Sequence, residues 1–343
     1  MADARYPLVS IVILNYNGKQ FLDRCLTSIF NQSFSNFEIV FVDNTSIDGS
    51  VDYVKTRFGH DTRLKIVENK GNPGPIEGNN VGIRLVNRRT PYIVLLNNDT
   101  ELTVNWLYCM INAMESDPKI GAAGSKQLLM DDRKRLQGVG SFIDPCGFNY
   151  QLGEYEIDTG QYNGGTSEIF AAGTTALFIR TDLLRQIGLL DSNYDFGFDD
   201  VDLCWRVWLS GYKVVCVSRC TMYHKVSGTP RKLVHVLFHR EKNRIMTAIK
   251  NYSIPYQFRF LPLILSFDLS QLLWFAFTNN FSIFWAIGRA LMWNMKHFRY
   301  MWAQHLKIKY YIRKVSDKEI ISHMVKINPI ELWRRIGSQH LNK

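Results

Sequence analysis

The chain has 343 residues, 46% of them hydrophobic and 21% charged, with 23 glycines, 10 prolines and a formal net charge of +10. That composition excludes a disordered or collagen-like chain and is long enough for one large core or two modest ones. A mean hydropathy of -0.14 is too polar for a polytopic membrane protein, yet 8 Trp, 16 Tyr and 21 Phe are many for a soluble enzyme.

The first residues, Met1 to Pro7, show no apolar run after Arg5, so no secretory signal is expected and synthesis should end in the cytosol. Residues 8–14 form an apolar strand interrupted by Ser10. The polar turn Asn15-Tyr16-Asn17-Gly18 follows, then Phe21, Leu22, Cys25, Leu26, Ile29 and Phe30 at helical spacing. The alternation repeats as strand 37–42 with helix 49–58, strand 64–67 with helix 77–86, and strand 92–96 with helix 104–114. Strands apolar on both faces imply a parallel sheet covered by helices, hence an α/β fold.

Ligands in such sheets bind beyond the carboxyl ends of the strands. Here those ends carry Asn15-Tyr16-Asn17, Asp43-Asn44, the stretch from Asn69 through Asn72 to Gly74, and Asn97-Asn98-Asp99. Each cluster alone is also an ordinary turn; their convergence on one rim is the functional signal. The turn after the first strand has neither GxGxxG nor GxxxxGK[ST], so a diphosphate at this rim calls for a metal ion. Asp99 is the candidate ligand, with a helix N-cap as its plain structural alternative.

Residues 130–168 read as loops or short antiparallel strands. Regular signals resume at 170–180, followed by a helix from Thr181, a loop at 191–198, a helix through Val201 to Val207, a strand at 213–217 and a long helix at 233–252. The run Asp199-Asp200-Val201-Asp202 crowds three carboxylates into the first turn of a helix. Dipole compensation and an Asp202–Arg206 pair account for Asp202, and leave Asp199 and Asp200 repelling each other for no structural gain, which points to chemistry for one of them. An exposed Asp200 would have an ordinary carboxylate pKa. His224 opens the segment to Thr229 and has a structural hydrogen-bonding alternative.

These motifs resemble the family 2 glycosyltransferases, and most of all their rhamnosyltransferase-like branch. The likeness runs through Val9 to Gly18, Val42 to Ser50, Asn72-x-Gly74 with Gly78 to Ile83, Leu95 to Thr100, and Gly188 to Arg206. It covers residues 8 to about 250. The resemblance implies a GT-A fold with a mostly parallel central sheet flanked by helices, and inverting transfer of a sugar, rhamnose in the named branch, from a nucleotide-diphosphate donor. It places Asn15, Tyr16, Asp43, Asn72, Asn98 and Asp99 around that donor. Asp99 and His224 would hold Mg²⁺ or Mn²⁺, and Asp200 would be the catalytic base. Three departures stand out: one acid in Asn97-Asn98-Asp99, Asp199 in place of the usual Glu, and Pro75-Ile76-Glu77 in place of an aromatic-small-glycine stretch. A nucleotidyltransferase would need a glycine-rich basic loop that is missing, and a non-catalytic sugar-nucleotide-binding scaffold would have little use for all four polar groups Asp43, Asp99, Asp200 and His224.

The catalytic domain is expected over 1–255, with a hydrophobic and basic helical region over 256–343. From 289 to 343 there are twelve Lys and Arg against three Asp and Glu, so the charge excess is a tail property. The apolar stretches 261–278 and 281–293 flank an Asn279-Asn280 turn. The first contains Asp268 and Gln271, the second is short, and neither reads as a spanning helix. Packing on the domain, a dimer contact and a membrane-interface hairpin all fit this pattern. The tryptophans and following lysines and arginines favour the last, with anionic lipid as partner rather than nucleic acid. That suits a peripheral or monotopic enzyme on the inner face of the membrane acting on a glycan or lipid-linked acceptor in polysaccharide biosynthesis. The six cysteines show no CxxC spacing and are expected to be reduced core residues.

Overall fold

A computed structural model describes residues 6–226 and 232–326. Ser227 to Thr229 and the tail from 327 lie outside the described residues. The first half alternates β1 (Val9–Asn15), α1 (Lys19–Phe30), β2 (Phe37–Asp43), α2 (Ser50–Phe58), β3 (Leu64–Glu68), α3 (Pro75–Leu85) and β4 (Tyr92–Asn97). The strands lie in the order β3-β2-β1-β4, all parallel. Their side chains are buried on both faces in β1, β2 and β4, which is why they read as unbroken apolar runs. On α1, Leu22, Cys25, Leu26 and Ile29 form the buried stripe.

Helix α3 lies unusually close to the sheet because two of its residues lack side chains. A Cβ on Gly82 would sit 2.3 Å from Val12 Cγ1, and one on Gly78 2.5 Å from Leu14 Cδ1. The spacing Gly78-x-x-x-Gly82 is therefore a packing requirement of the β1–α3 contact.

After β4 the sheet becomes mixed. The elements are β5 (Thr100–Leu102), α4 (Trp106–Ser116), β6 (Ile120–Leu129), β7 (Leu136–Gly138), β8 (Ser141–Ile143), β9 (Asn149–Gln151), β10 (Thr166–Glu168), β11 (Ala176–Arg180), α5 (Thr181–Ile187), α6 (Asp199–Leu209) and β12 (Lys213–His224). Strand β11 runs antiparallel between β4 and β6, and β12 pairs parallel with β6. Thr100 opens strand β5 instead of a helix, and α4 starts only at Trp106. Asp99 is thus no helix cap, and its structural alternative falls. Strand β12 extends seven residues beyond the expected 213–217, through an irregularity after Val217, and delivers His224 opposite Thr100.

One expectation about the cysteines fails. Cys109 of α4 and Cys220 of β12 form a disulfide across 111 residues of sequence, while Cys25, Cys146, Cys204 and Cys216 are buried free thiols. The pairing is created by α4 packing on β12, a contact that cysteine spacing does not reveal. The cysteines therefore give no support to a reducing compartment.

The chain continues through α7 (Leu233–Asn251), α8 (Ile254–Phe277), α9 (Phe281–Lys296), α10 (Phe298–Lys307), a π-helical turn at Ile308–Ile312 and α11 (Asp317–Ser322). Helix α8 begins earlier than the apolar stretch 261–278 and, at 24 residues with a mean hydropathy of 1.6 over its best window, is long and apolar enough to cross a membrane. Beyond the α8–α9 hairpin the chain returns to the body. Tyr300 donates to Asp191 Oδ1 at 2.7 Å, Val325 N donates to the Ile143 carbonyl at 3.0 Å, and His323 stacks on Trp208 at 3.8 Å.

Candidate active site

The rim residues expected from the strand ends form one connected chain. Asn15 and Asp43 stand opposite each other at the ends of β1 and β2. Asn15 Nδ2 donates to Asp43 Oδ1 at 2.8 Å, and Asn15 Oδ1 accepts from Asn98 Nδ2 at 2.6 Å. Asp43 is 2% exposed; the backbone N–H of Ser46 donates to its Oδ2 at 2.7 Å and the Ser46 hydroxyl to its Oδ1 at 2.6 Å. Ser46 Oγ also accepts from Asn15 Nδ2 and from Asn17 N. Ser46 thus knits the β1 and β2 turns together, a role that sequence reading did not assign to it. Asn44 Nδ2 donates to Asn72 Oδ1 at 3.2 Å, which in turn accepts the Gly74 amide at 2.9 Å. Tyr16 is 54% exposed at the mouth of this rim.

Asn98 leads into Asp99, whose Oδ1 lies 3.2 Å from His224 Nε2. His224 Nδ1 lies 2.8 Å from Gln137 Oε1. A carboxamide oxygen can only accept, so Nδ1 is the donor to Gln137, and Nε2 is the ring nitrogen that faces Asp99. Asp99 Oδ1 is buried and accepts no hydrogen bond. An imidazole nitrogen beside a carboxylate oxygen in a sheltered position is a pair that would fit a divalent cation, with Gln137 orienting the imidazole from behind. No group of three or more His, Cys, Asp or Glu placed to hold a metal ion exists among the described residues. Asp99 and His224 would therefore supply only part of an ion's shell, leaving positions for phosphate oxygens and water.

Gln137 also lines a cleft of about 430 Å³ together with Gln127, Asn149, Gln151, Tyr155 and Asp200. A second hollow of about 320 Å³ is lined by Asp99 itself with Phe21, Arg24, Asp131 and Lys225. Asp200 and Asp99 line separate hollows, and Gln137, which lines the Asp200 cleft and contacts His224, is the residue that links them. Nothing in the sequence singles out Gln137; only its contacts do.

Asp200 is partly buried at the first turn of α6. Its Oδ1 accepts the Val201 amide at 2.8 Å, and a Cβ on Gly173 would lie 3.6 Å from its Oδ2. The expectation of an exposed carboxylate with an ordinary pKa is corrected here. Burial raises the pKa of Asp200, and burial together with the neighbouring Asp200 charge lifts Asp199 to about 7. Asp202, in contrast, faces away into a charged network. Burial works against its ionisation, but Lys250 and Arg206 outweigh it and hold the carboxyl well below its usual range. The three neighbouring acids are therefore placed differently: Asp202 in the charged network, Asp200 at the cleft, and Asp199 buried beside it.

The loop before α6 is strained. Asp195, Gly197 and Phe198 have φ of 57°, 71° and 67°, a region that costs energy for residues with side chains. Buried groups of α7 hold it. Asn243 Nδ2 lies 3.0, 2.9 and 2.8 Å from the carbonyls of Tyr194, Phe196 and Gly197, and Lys242 Nζ donates to the Asn193 carbonyl at 2.6 Å and to Asp195 Oδ2 at 2.7 Å.

The parallel β3-β2-β1-β4 half-sheet with its polar rim, the antiparallel β11 beside it, and the carboxylate pair on α6 define a GT-A-type glycosyltransferase fold. The sequence profile of "Glycosyl transferase family 2" matches residues 10–185, more than half of the chain, and the chain belongs to that family. A Haemophilus influenzae protein described as an uncharacterized glycosyltransferase is 30% identical over 119 residues, covering 35% of this chain and 36% of its own length. The Streptococcus pneumoniae glycosyltransferase GlyG is 27% identical over 117 residues, 33% of this chain and 38% of its own. The chain thus spans little more than a third of these relatives. Among solved structures, GalNAc-T7 with UDP, GalNAc and Mn²⁺ superposes with a TM-score of 0.58 at 16% identity, covering 74% of this chain and 50% of that one. The Pyrobaculum calidifontis mannosyltransferase PcManGT with GDP-Man and Mn²⁺ gives 0.52 at 14% identity, with 89% and 85% coverage. These likenesses establish the fold.

Proposed function

We propose that this chain is an inverting glycosyltransferase that moves a sugar, rhamnose by its resemblance to that branch, from a nucleotide-diphosphate donor to a hydroxyl of a glycan. The observation that carries this reading is the continuous path from Asp43 through Asn15 and Asn98 to Asp99, His224, Gln137 and the cleft holding Asp200. It joins a rim suited to a nucleotide with a carboxylate suited to proton transfer.

In this mechanism the base and ribose lie against Asp43, Asn15 and Tyr16, with Asn72 and Asn98 fixing the turns around them. Asp99 and His224 would hold Mg²⁺ or Mn²⁺, which when bound neutralises the diphosphate. An acceptor hydroxyl enters the Gln137–Tyr155 cleft and gives its proton to the ionised Asp200. Its oxygen bonds to the anomeric carbon as the bond to the diphosphate oxygen breaks on the opposite face, so the configuration inverts and the nucleoside diphosphate leaves. The raised pKa of Asp200 makes it a stronger base than a solvated carboxylate. The amide-rich cleft, with Gln127, Gln137, Asn149 and Gln151 and an aromatic Tyr155, suits a hydroxylated, uncharged acceptor.

Incubating the protein with a panel of nucleotide sugars and Mg²⁺ or Mn²⁺ tests the reading, by protection against thermal unfolding and by donor hydrolysis. One donor should protect, and Asp200→Asn should keep that protection while lowering transfer by about 10²–10⁴-fold. A variant that keeps most of its turnover would remove Asp200 from this role.

A further inference from the structure

Helix α8 buries Phe260, Ile264 and Phe275 against the body and is nevertheless apolar on its outward side as well. The side it turns to the body also carries Gln257, Asp268 and Gln271, all buried. Its outward stripe carries Phe258, Leu265, Leu269, Leu273 and Phe277, the last two 62% and 83% exposed. These positions are three or four residues apart or multiples of that spacing, so they lie along one face. The stripe continues around the hairpin tip into Phe281 and is flanked by the exposed Trp274 and Trp285. An apolar surface of this extent is a docking surface in search of an apolar phase.

The buried side says how deep that phase can reach. Asp268, midway along α8, is ion-paired with Arg244 of α7, which Glu241 also holds; all three side chains are fully buried. Drawing α8 across a bilayer would strand Arg244 and Glu241 and carry Asp268 into hydrocarbon without its partner. Length and hydropathy permit a span; the ion triad forbids it and leaves α8 lying against the body with one face outward.

Charge identifies what covers that face. Between 255 and 316 the chain carries eight Lys and Arg and a single acid, the buried Asp268. Arg259, Arg289, Lys296 and Arg299 are exposed around the hairpin and make no ion pair among the described residues. A second copy would press two wholly basic rims together, whereas anionic headgroups complement them. We propose that the α8–α9 hairpin is a monotopic anchor, its outward stripe and tip sunk into the interface of an anionic bilayer. The anchor stands independently of the transferase reading. A consequence rests on that reading: Phe267 of α8 meets Phe148 edge-on at 4.9 Å, and the next residue, Asn149, lines the acceptor cleft, so the membrane surface adjoins the site where a lipid-linked acceptor would enter.

The test is co-sedimentation of the full-length protein with vesicles of equimolar phosphatidylglycerol and phosphatidylcholine, and with phosphatidylcholine alone. Binding to the anionic vesicles should exceed that to the neutral ones by about tenfold or more and weaken with salt. Leu269→Asp with Leu273→Asp, both on the exposed face, should lower that binding by at least about tenfold with an unchanged thermal midpoint. Protein left in the supernatant with both vesicles, or equal binding by the double variant, overturns the proposal. So does a dimer in vesicle-free solution that the double variant dissolves, which would assign the face to a second copy. Donor-induced thermal protection, read separately, reports on the catalytic reading alone.

Discussion

Gln137 Oε1 sits 2.8 Å from His224 Nδ1, and that contact determines what the opposite edge of the imidazole presents to Asp99. With Nδ1 engaged by Gln137, Nε2 is the nitrogen left to face the buried Asp99 Oδ1, 3.2 Å away. Removing the amide leaves the ring free to turn. Gln137→Ala should therefore weaken Mn²⁺ affinity by about 10–100-fold, measured by titration calorimetry with nucleoside diphosphate present. Unchanged affinity would mean that Asp99 and His224 are not ligands held from behind.

Gly18 permits the bond between Asn98 and Asn15. A Cβ there would lie 2.1 Å from Asn98 Nδ2 and 2.7 Å from Asn15 Oδ1, although the backbone φ of -110° suits any residue. Gly18→Ala should destabilise the fold by about 1–3 kcal/mol through this clash and raise the donor dissociation constant. Gly288→Ala, in open space on α9, should be neutral or stabilising by less than about 1 kcal/mol. Equal midpoints for the two variants in denaturant titrations would refute the steric account.

The half of the fold built from β1 to β4 was legible because strands buried on both faces leave continuous apolar runs, and because each ends in the polar residues of the rim. Strand β6 was not: Ile-Gly-Ala-Ala-Gly-Ser-Lys-Gln-Leu-Leu has few β-branched residues and no alternation, since close packing on α6 and β11 selects small side chains there. Asn15, Asp43, Asn98, Asp99 and His224 could be picked out by position. Gln137 and Ser46 could not, because their importance lies in contacts to residues 87 and 31 positions away. The same limit hid the Cys109–Cys220 pairing. For Asp199 and Asp200 the sequence supplied the residues but not the burial that changes their chemistry.

That burial has a pH signature. Asp199 titrates near 7 in the folded protein against 3.8 for an unperturbed aspartate, so between those values the folded state binds more protons than the unfolded one. Stability must then fall as pH rises from about 4 to about 7, with the whole penalty present above 7. Asp199→Asn removes this term. The variant should melt a few degrees above wild type at pH 8, and the gap should close toward pH 4. Transfer by the wild-type enzyme should rise through an acidic limb displaced above the ordinary carboxylate range, because Asp200 is also raised. A gap that is constant with pH would show that Asp199 is ionised at no cost.

Asn243 should act on the proposed reaction without touching the cleft. Its amide meets the Tyr194, Phe196 and Gly197 carbonyls in a loop where Asp195, Gly197 and Phe198 all have left-handed φ, and that loop runs directly into Asp199 and Asp200. Such a backbone persists only while its surroundings impose it. Without the amide, the first turn of α6 can shift by a fraction of an ångström to an ångström, a displacement that costs about 10²-fold when it misplaces a reacting group. The proposed donor rim at Asn15, Asp43 and Asn98 lies at the ends of β1, β2 and β4 and should be unaffected. Asn243→Ala should accordingly lower kcat by about 10–100-fold while the donor KM stays within about twofold, and Asn243→Asp, which replaces the donor with a charge facing three carbonyls, should fare worse. Steady-state kinetics over a range of donor concentrations separates the two parameters. A rise in donor KM with kcat intact would place Asn243 in general fold maintenance and free the loop from any part in setting the base.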